Sequence, residues 1–224
     1  MPRRALMDKR PYLLLSLIAA FAFYYLRASE MPELYVIPIK GAACVFLAIY
    51  CLVRHSSADA RLLAWVMGWC ALGDMAIEID LRIGASLFFL GHCFAIGLYL
   101  RHKHAALTGS HSWVCGLLVT VTPLIAWLLT RQTDLSWQAG FYGLALGAMA
   151  SAAWASDFPR YRVGAGALLF VLSDILIFAG IGPLAGTFAP EYLVWPIYYL
   201  GQFMICTGVI QTLRKRDPEL RVVK

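Results

Sequence analysis

The amino-acid sequence predicts an all-α, polytopic membrane protein with eight transmembrane helices. Three observations support this fold class: an apolar composition, long continuous apolar runs, and basic residues concentrated on one side of those runs. Of the 224 residues, 61% are hydrophobic and only 14% are charged, and the mean hydropathy is +0.69. A soluble domain of this size does not need so much apolar residue. A β-barrel is excluded because the runs are continuous rather than alternating.

Eight apolar runs each approach the roughly 20 residues with which a helix crosses a bilayer. They lie at residues 11–27, 34–53, 61–79, 84–100, 113–130, 136–155, 163–180 and 191–213. The connections are short and contain no linker or low-complexity stretch, so residues 1–224 are predicted to form a single eight-helix transmembrane domain. The first run lacks a small-residue cleavage site, and we expect it to be retained rather than removed as a signal peptide.

The basic residues predict the orientation. With a cytoplasmic amino terminus, 15 of the 19 lysines and arginines fall in cytoplasmic segments. These are Arg3, Arg4, Lys9, Arg10, Arg54, Arg61, Arg101, Lys103, Arg160, Arg162, Arg214, Lys215, Arg216, Arg221 and Lys224. This asymmetry predicts that both termini are cytoplasmic. The net charge of +6 therefore reflects topology and contact with membrane lipids, not nucleic acid, and the compact loops favour a bacterial inner membrane.

Two pairs of similar segments indicate an internal duplication. ALGDMAI in the third run resembles VLSDILI in the seventh, and FFLGH, ending at His92, resembles YYLGQ, ending at Gln202. Because the third and seventh helices run in the same direction, the predicted arrangement is a parallel four-plus-four repeat.

Two aspartates, Asp74 and Asp174, interrupt apolar runs, at a cost of roughly 3 kcal/mol each on insertion scales. Each lies six residues, or about 9 Å, from the predicted outer end of its helix, as does Lys40. The sequence thus predicts a polar layer in the outer half of the membrane and a cavity that opens to the outer face. The other residues assigned to this layer are His92, Tyr198, Tyr199 and Gln202.

Each of these residues also has a structural interpretation. The aspartates could fix helix packing through hydrogen bonds to tyrosine or glutamine. Lys40 could bind an anionic headgroup, although a salt bridge to an aspartate is favoured at that depth. Glu78 shares a helix face with Asp74 at i,i+4 spacing, or extends to the interface.

The remaining polar residues have equally ordinary alternatives. His92 on an apolar helix is more often a core histidine than a catalyst, and Tyr198 and Tyr199 could belong to an interfacial aromatic belt. The six cysteines form no C-x-x-C pair and are expected to pack as small apolar residues. The loop histidines His102, His104 and His111 have no carboxylate or cysteine nearby and are expected to be solvated, so neither a metal nor a cofactor is predicted.

Five segments, in the same order along the chain, carry a family resemblance. They are Ile-Pro-Ile-Lys40, Leu-Gly-Asp74, F-x-x-G-His92-x-F with the later Tyr99, GALLFVLS-Asp174, and Y-Y-x-x-Gln202. The ordered set resembles the YhhN-like (TMEM86-type) integral membrane family, the lysoplasmalogenases. This sequence has Gly41 where the family often has proline, and Ala76-Ile77 where leucine is more usual.

The resemblance implies an ether hydrolase that cleaves the vinyl ether bond of a lysoplasmalogen and releases a fatty aldehyde and a glycerophospho-base. Acid-catalysed cleavage of a vinyl ether needs one protonated carboxyl group and one carboxylate, the division of labour found in glycosidases. We assign these roles to Asp74 and Asp174, with the one nearer Lys40 ionised, and either aspartate can take either role. Lys40 alternatively contacts the phosphate, while His92, Tyr198 and Gln202 orient water or the ether oxygen.

Two functions of other classes fit the same residues. A proton-coupled transporter of small molecules or lipids would also place acids, a lysine and a histidine in a membrane cavity. A non-catalytic lipid-binding or scaffolding bundle would use the polar layer only for packing. Release of fatty aldehyde from a lysoplasmalogen distinguishes the enzyme from both alternatives.

Overall fold

The computed structural model describes residues 11–104 and 109–217, apart from the side chain of Glu33, and contains eight α-helices in this part of the chain. They are α1 (Pro11–Leu26), α2 (Glu33–Arg54), α3 (Ala58–Ala76), α4 (Leu81–Arg101), α5 (Gly109–Thr130), α6 (Ser136–Trp154), α7 (Ala165–Ile181) and α8 (Phe188–Arg216). A π-helical turn, Arg160–Gly164, leads into α7. The described residues contain no β-strand, only an isolated bridge between Lys103 and Ser156. The predicted all-α class is confirmed.

Among the described residues, five helical segments are long and apolar enough to cross a membrane, as expected of a multi-pass membrane protein. They are Leu34–Arg54, Leu81–Arg101, Gly109–Thr130, Arg160–Ile181 and Phe188–Arg216. The helix α1 is apolar but shorter, at 16 residues. That all eight helices span the membrane remains a prediction.

The helices α3 and α6 are each 19 residues long but are not among these five segments. Alanine and glycine are frequent in both, and buried residues occur along their whole length. In the described structure α3 packs against α2, and α6 packs against α5. Alanine and glycine are less hydrophobic than leucine or isoleucine, so their frequency lowers the hydropathy of these two helices.

The chain forms two compact units. Within the described residues, the first unit consists of those up to Phe94 and those from Val209 onward, and the second consists of those between Ala95 and Gly208. The helices α4 and α8 contribute to both units. The parallel repeat, the single-domain organisation and the cytoplasmic termini remain predictions. The basic residues predicted for the terminal segments, Arg3, Arg4, Lys9, Arg10, Arg221 and Lys224, lie outside the described residues.

Close helix contacts at glycines set the register within the first unit. A Cβ added at Gly73 would lie 2.9 Å from the Phe88 ring, and one at Gly84 would lie 2.7 Å from Ile77 Cα. These contacts fix α3 and α4 as antiparallel neighbours. A Cβ at Gly41 of α2 would approach the Ala71 carbonyl oxygen of α3 to 3.1 Å, so Lys40 lies at about the level of Asp74.

The second unit has similar contacts. A Cβ added at Gly147 of α6 would lie 2.2 Å from the Leu118 carbonyl oxygen of α5, and one at Gly166 of α7 would lie 2.7 Å from the Gly201 carbonyl oxygen of α8. Small residues at these crossings let helix backbones approach closely, as is usual between helices in membranes.

The end of α3 differs from the sequence prediction. The third apolar run was predicted to continue to residue 79, but α3 ends at Ala76 and residues 77–79 form a turn. The carboxylate of Asp80 accepts hydrogen bonds from the backbone N–H groups of Arg82 and Ile83, which caps the next helix. Asp74 therefore lies in the last turn of α3, and Glu78 lies in the following turn rather than on the same helix.

Candidate functional site

Asp74 and His92 are almost completely buried, with 1% and 2% of their surfaces exposed, respectively. They lie on the neighbouring helices α3 and α4. The contacts at Gly73 and Gly84 place Asp74 at about the level of residue 87, five residues from His92. His92 is therefore about 7 Å farther than Asp74 from the connection between the two helices. Both polar side chains belong to the core of the first unit.

Lys40 forms a salt bridge with Glu78, and its Nζ atom lies 5.2 Å from the centre of the Phe23 ring. The sequence favoured an aspartate as the partner of Lys40 and left Glu78 on the face of Asp74 or at the interface. Glu78 is a partner of Lys40 because the end of α3 at Ala76 turns Glu78 towards α2, and a salt bridge between Lys40 and an aspartate stays a prediction. The side chain of Lys40 is more buried than that of Glu78, with 12% and 38% exposed.

In the second unit, Asp174 is buried in the middle of α7. The hydroxyl group of Tyr142 on α6 donates a hydrogen bond of 2.6 Å to Asp174 Oδ2. The Ser173 hydroxyl lies 3.3 Å from Asp174 Oδ1 but only 2.7 Å from the Phe170 carbonyl oxygen. Because a hydroxyl group has one proton, the shorter contact takes it and leaves Oδ1 available.

Aromatic rings flank Asp174 on its own helix. Phe170 and Phe178 are one turn before and one turn after it, and so share its helix face. The Tyr142 ring makes an edge contact with Phe178, with centroids 5.8 Å apart, and the Tyr198 ring of α8 does the same with Phe170 at 5.1 Å. Among the described residues, the groups within hydrogen-bonding distance of Asp174 are two hydroxyls, and no cation pairs with it.

Gln202 lies deeper in the second unit than predicted. The contacts of Gly166 with Gly201 and of Phe170 with Tyr198 set the register of α7 and α8. Tyr198 is therefore about one turn from the level of Asp174, and Gln202 is about two turns, or roughly 10 Å, away. The prediction of one polar layer was wrong for Gln202, because the glycine contact that sets the register is not visible in the sequence.

Tyr198, Tyr199 and Gln202 are all buried in this unit. The side-chain amide of Gln202 donates a hydrogen bond of 3.3 Å to the Tyr198 hydroxyl. The Tyr199 ring stacks on Trp195, with centroids 6.2 Å apart. Burial shows that the two tyrosines are not simply exposed belt residues.

Of the histidines predicted to lie in a loop, His104 and His111 have protein partners, and His111 lies in the first turn of α5 rather than in a loop. His104 Nε2 lies 3.8 Å from Asp157 Oδ1, and His111 Nδ1 accepts a hydrogen bond of 3.3 Å from the Trp154 indole. The sequence placed no carboxylate near these histidines, but the backbone pairing of Asp157 N–H with the His102 carbonyl oxygen brings one there.

Tyr142 is the site residue that the sequence analysis missed. It lies in an apolar, glycine-rich run and carries no motif, yet only 8% of its surface is exposed. A buried tyrosine hydroxyl usually has a hydrogen-bond partner, and a buried aspartate elsewhere in the sequence was the available one. A search for a partner of the buried tyrosine hydroxyl could therefore have identified Tyr142 as a neighbour of Asp174.

The candidate residues from Lys40 to Gln202 all fall within one stretch that matches a family model. The model of the YhhN family matches residues 35–209. The chain belongs to the YhhN family. No curated protein and no solved structure matches the chain. The resemblance inferred from the five sequence segments is thus confirmed for this YhhN protein at the level of the family.

Asp74 belongs to the first unit of this YhhN protein and Asp174 to the second. The first unit holds Lys40, Glu78, Asp74 and His92, whereas the second holds Tyr142, Asp174, Tyr198, Tyr199 and Gln202. Their catalytic and substrate-binding roles, and the pairing of the two aspartates, remain predictions.

Proposed function

We propose that this YhhN protein is an ether hydrolase of the lysoplasmalogenase type. Its substrate is an alkenyl-glycerophosphoethanolamine or alkenyl-glycerophosphocholine, and its products are a fatty aldehyde and the glycerophospho-base. The observation that carries the proposal is the environment of Asp174, which is a buried carboxyl group among aromatic rings, within an apolar helix, whose neighbours are hydroxyl groups rather than cations. An acid in such a place is costly and is usually kept for a task.

The proposed reaction is acid-catalysed addition of water to the vinyl ether. A carboxylic acid transfers its proton to the β-carbon of the double bond, and the resulting cation is shared between the α-carbon and the ether oxygen. A second carboxylate takes a proton from water as the water oxygen bonds to the α-carbon. In the hemiacetal, the first carboxyl group, now a carboxylate, takes the hydroxyl proton as the bond to the glycerol oxygen breaks. The second carboxyl group returns its proton to that oxygen, the aldehyde leaves, and both groups are restored. One water is consumed and no redox cofactor is needed.

We assign the acid to Asp174 and the carboxylate to Asp74. Lys40 lies at the level of Asp74 in the first unit, and a nearby cation favours the ionised form of a carboxyl group. Asp174 has hydroxyl neighbours, which can hold a protonated carboxyl group in one orientation.

The remaining residues take supporting roles in this proposal. Phe170, Phe178 and the Tyr198 ring supply apolar surface for the alkenyl chain next to Asp174. Gln202 holds the Tyr198 hydroxyl, and His92 orients water or the ether oxygen. The protein acts in a membrane, which we propose to be a bacterial inner membrane with the site open to the outer face.

The direct test uses the purified full-length protein in detergent with lysoplasmenylethanolamine. We expect fatty aldehyde and glycerophosphoethanolamine in equal amounts, and no product from the saturated 1-O-alkyl analogue. In D₂O the aldehyde should carry one deuterium at its α-carbon, because the acid delivers solvent-derived hydrogen there. If the folded protein releases no aldehyde and the substrate drives proton flux in liposomes, the protein is a transporter rather than a hydrolase.

A further inference from the structure

A cavity of about 480 Å³ lies in the second unit where α5 and α7 end. Its walls combine the apolar side chains of Leu128, Leu129 and Ile181 with the polar residues Arg131, Gln132 and Thr133. Asp174 is on α7, seven residues before Ile181. The cavity is thus at the end of the helix that carries the proposed acid.

The walls of the cavity are held by short-range contacts. A Cβ added at Gly182 would lie only 2.0 Å from the Leu129 carbonyl oxygen, so the segment after α7 packs directly on the end of α5. The Thr133 hydroxyl donates a hydrogen bond of 2.8 Å to the Thr130 carbonyl oxygen and accepts one of 3.2 Å from the backbone N–H of Leu135. The turn that carries Arg131 is therefore ordered.

Arg131 is exposed at the cavity and makes no hydrogen bond or ion pair with another described residue. A guanidinium group presents several N–H donors in a plane, which suits the oxygens of a phosphate. Gln132 and Thr133 add uncharged polar groups beside it. The cavity therefore has a group that can bind a phosphate monoanion.

The ends of α5 and α7 favour a positively charged group in the same cavity. Both α5 and α7 end at this cavity, and the carboxyl-terminal end of a helix carries partial negative charge on its last carbonyl groups. A site that combines an arginine with two such ends suits a zwitterion, in which a phosphate and an ammonium group are a few bonds apart. Glycerophosphoethanolamine and glycerophosphocholine headgroups have this chemistry.

The distance to Asp174 fits a single lysolipid. Seven residues of α7 span about 10 Å from Asp174 to Ile181. In a lysoplasmalogen, seven bonds join the β-carbon of the vinyl ether to phosphorus, a reach of roughly 8 Å for an extended chain. The flexible Arg131 side chain can make up the difference.

From this arrangement we infer that the cavity is the headgroup site for a zwitterionic lysophospholipid, with Arg131 bound to the phosphate and the ammonium group towards the ends of α5 and α7. The inference rests on the proposed function for the identity of the lipid. It adds to that function a site for the headgroup and a preference for phospho-bases over lipids that carry phosphate alone.

The test measures binding rather than turnover. The ligand is 1-O-alkyl-2-lyso-glycerophosphoethanolamine, a saturated ether that the proposed reaction does not cleave. Its affinity is measured for the purified full-length protein and for Arg131→Gln, with Arg82→Gln as a control at another exposed arginine. Three comparison ligands are 1-O-alkylglycerol, 1-O-alkylglycerol 3-phosphate and inorganic phosphate.

We expect Arg131→Gln to weaken binding of the phosphoethanolamine ligand about tenfold, as for loss of a charged hydrogen bond, and Arg82→Gln to leave it unchanged. Alkylglycerol should bind both variants equally, and the phosphate without ammonium should bind the wild type more weakly than the zwitterion.

If wild type and Arg131→Gln bind the zwitterion with equal affinity, the headgroup site is wrong. It is also wrong if Arg131→Gln loses as much affinity for alkylglycerol as for the zwitterion. Inorganic phosphate that binds as tightly as the lipid would overturn the lipid assignment. The ligand is not cleaved, so the binding assay is independent of the aldehyde assay. If Arg131→Gln weakens binding but the wild type releases no aldehyde, the headgroup site stands and the proposed hydrolase activity is wrong. If the wild type releases aldehyde but Arg131→Gln binds the ligand as tightly as the wild type, the hydrolase activity stands and the headgroup site is wrong.

Discussion

The Tyr142 hydroxyl donates its hydrogen bond to Asp174 across the contact between α6 and α7, at a distance of 2.6 Å. The same ring packs edge-on against Phe178, so its position is fixed by an apolar contact as well as by the carboxyl group. Because Tyr142 holds Oδ2, the orientation of Oδ1 is also set. A general acid that delivers a proton to carbon needs such a fixed orientation, since small displacements of reacting groups reduce the rate strongly.

Tyr142→Phe is expected to lower kcat roughly tenfold to a hundredfold and to change KM little. The substitution keeps the ring against Phe178 and removes only the hydroxyl that orients Asp174. Aldehyde release over a range of substrate concentrations measures both constants. Tyr161→Phe is the control because Tyr161 is 72% exposed and far from this role. A Tyr142→Phe protein with wild-type kcat would show that the hydroxyl does not serve the reaction.

The salt bridge between Lys40 and Glu78 should give a measurable interaction free energy between α2 and the turn after α3. We expect Lys40→Met and Glu78→Gln each to lower the stability of the folded protein, and the double variant to lower it by less than the sum. The coupling should be about 0.5–1 kcal/mol, a small value because Glu78 is partly exposed to solvent. Thermal unfolding of the four proteins in one detergent measures it. Strictly additive effects would contradict a pair that stabilises the fold.

The close crossing of α5 and α6 at Gly147 predicts a strong response to one added methyl group. Gly147→Ala would force the new Cβ against the Leu118 carbonyl oxygen, and we expect a loss of about 1–3 kcal/mol in unfolding free energy. Gly116→Ala is the matched control, since a Cβ there meets no atom within 4 Å. It should be neutral or stabilise α5 by up to about 1 kcal/mol. Equal effects of the two substitutions in thermal unfolding would contradict this packing.

The sequence predicted the number and the approximate bounds of the helices because the apolar runs are long and the interruptions are polar. It was less reliable where a helix ends inside an apolar run. The segment around Glu78 still looks helical by composition, but Asp80 caps α4 and the chain has to turn before it. An aspartate followed by a new apolar run was the available signal for that turn.

The candidate site was predicted only in part for a related reason. Burial of Asp74 and Asp174 follows from their apolar surroundings and was expected. The partners of the charged groups depend on register, which glycine contacts such as that of Gly166 with Gly201 determine. Those contacts join residues distant in sequence, so neither the pairing of Lys40 with Glu78 nor the depth of Gln202 could be inferred from spacing along single helices.

The central claim is that two buried aspartates carry out the hydrolysis, and the most direct measurement is the rate of fatty aldehyde release from lysoplasmenylethanolamine by Asp174→Asn and Asp74→Asn. Each substitution keeps the side-chain size and removes the carboxyl group. Asp157→Asn, at an exposed loop carboxylate, is the matched control, and thermal unfolding checks that all three variants are folded. We predict near-complete loss of turnover in both buried-site variants and wild-type turnover in the control. Wild-type aldehyde release from folded Asp174→Asn or Asp74→Asn would contradict the account.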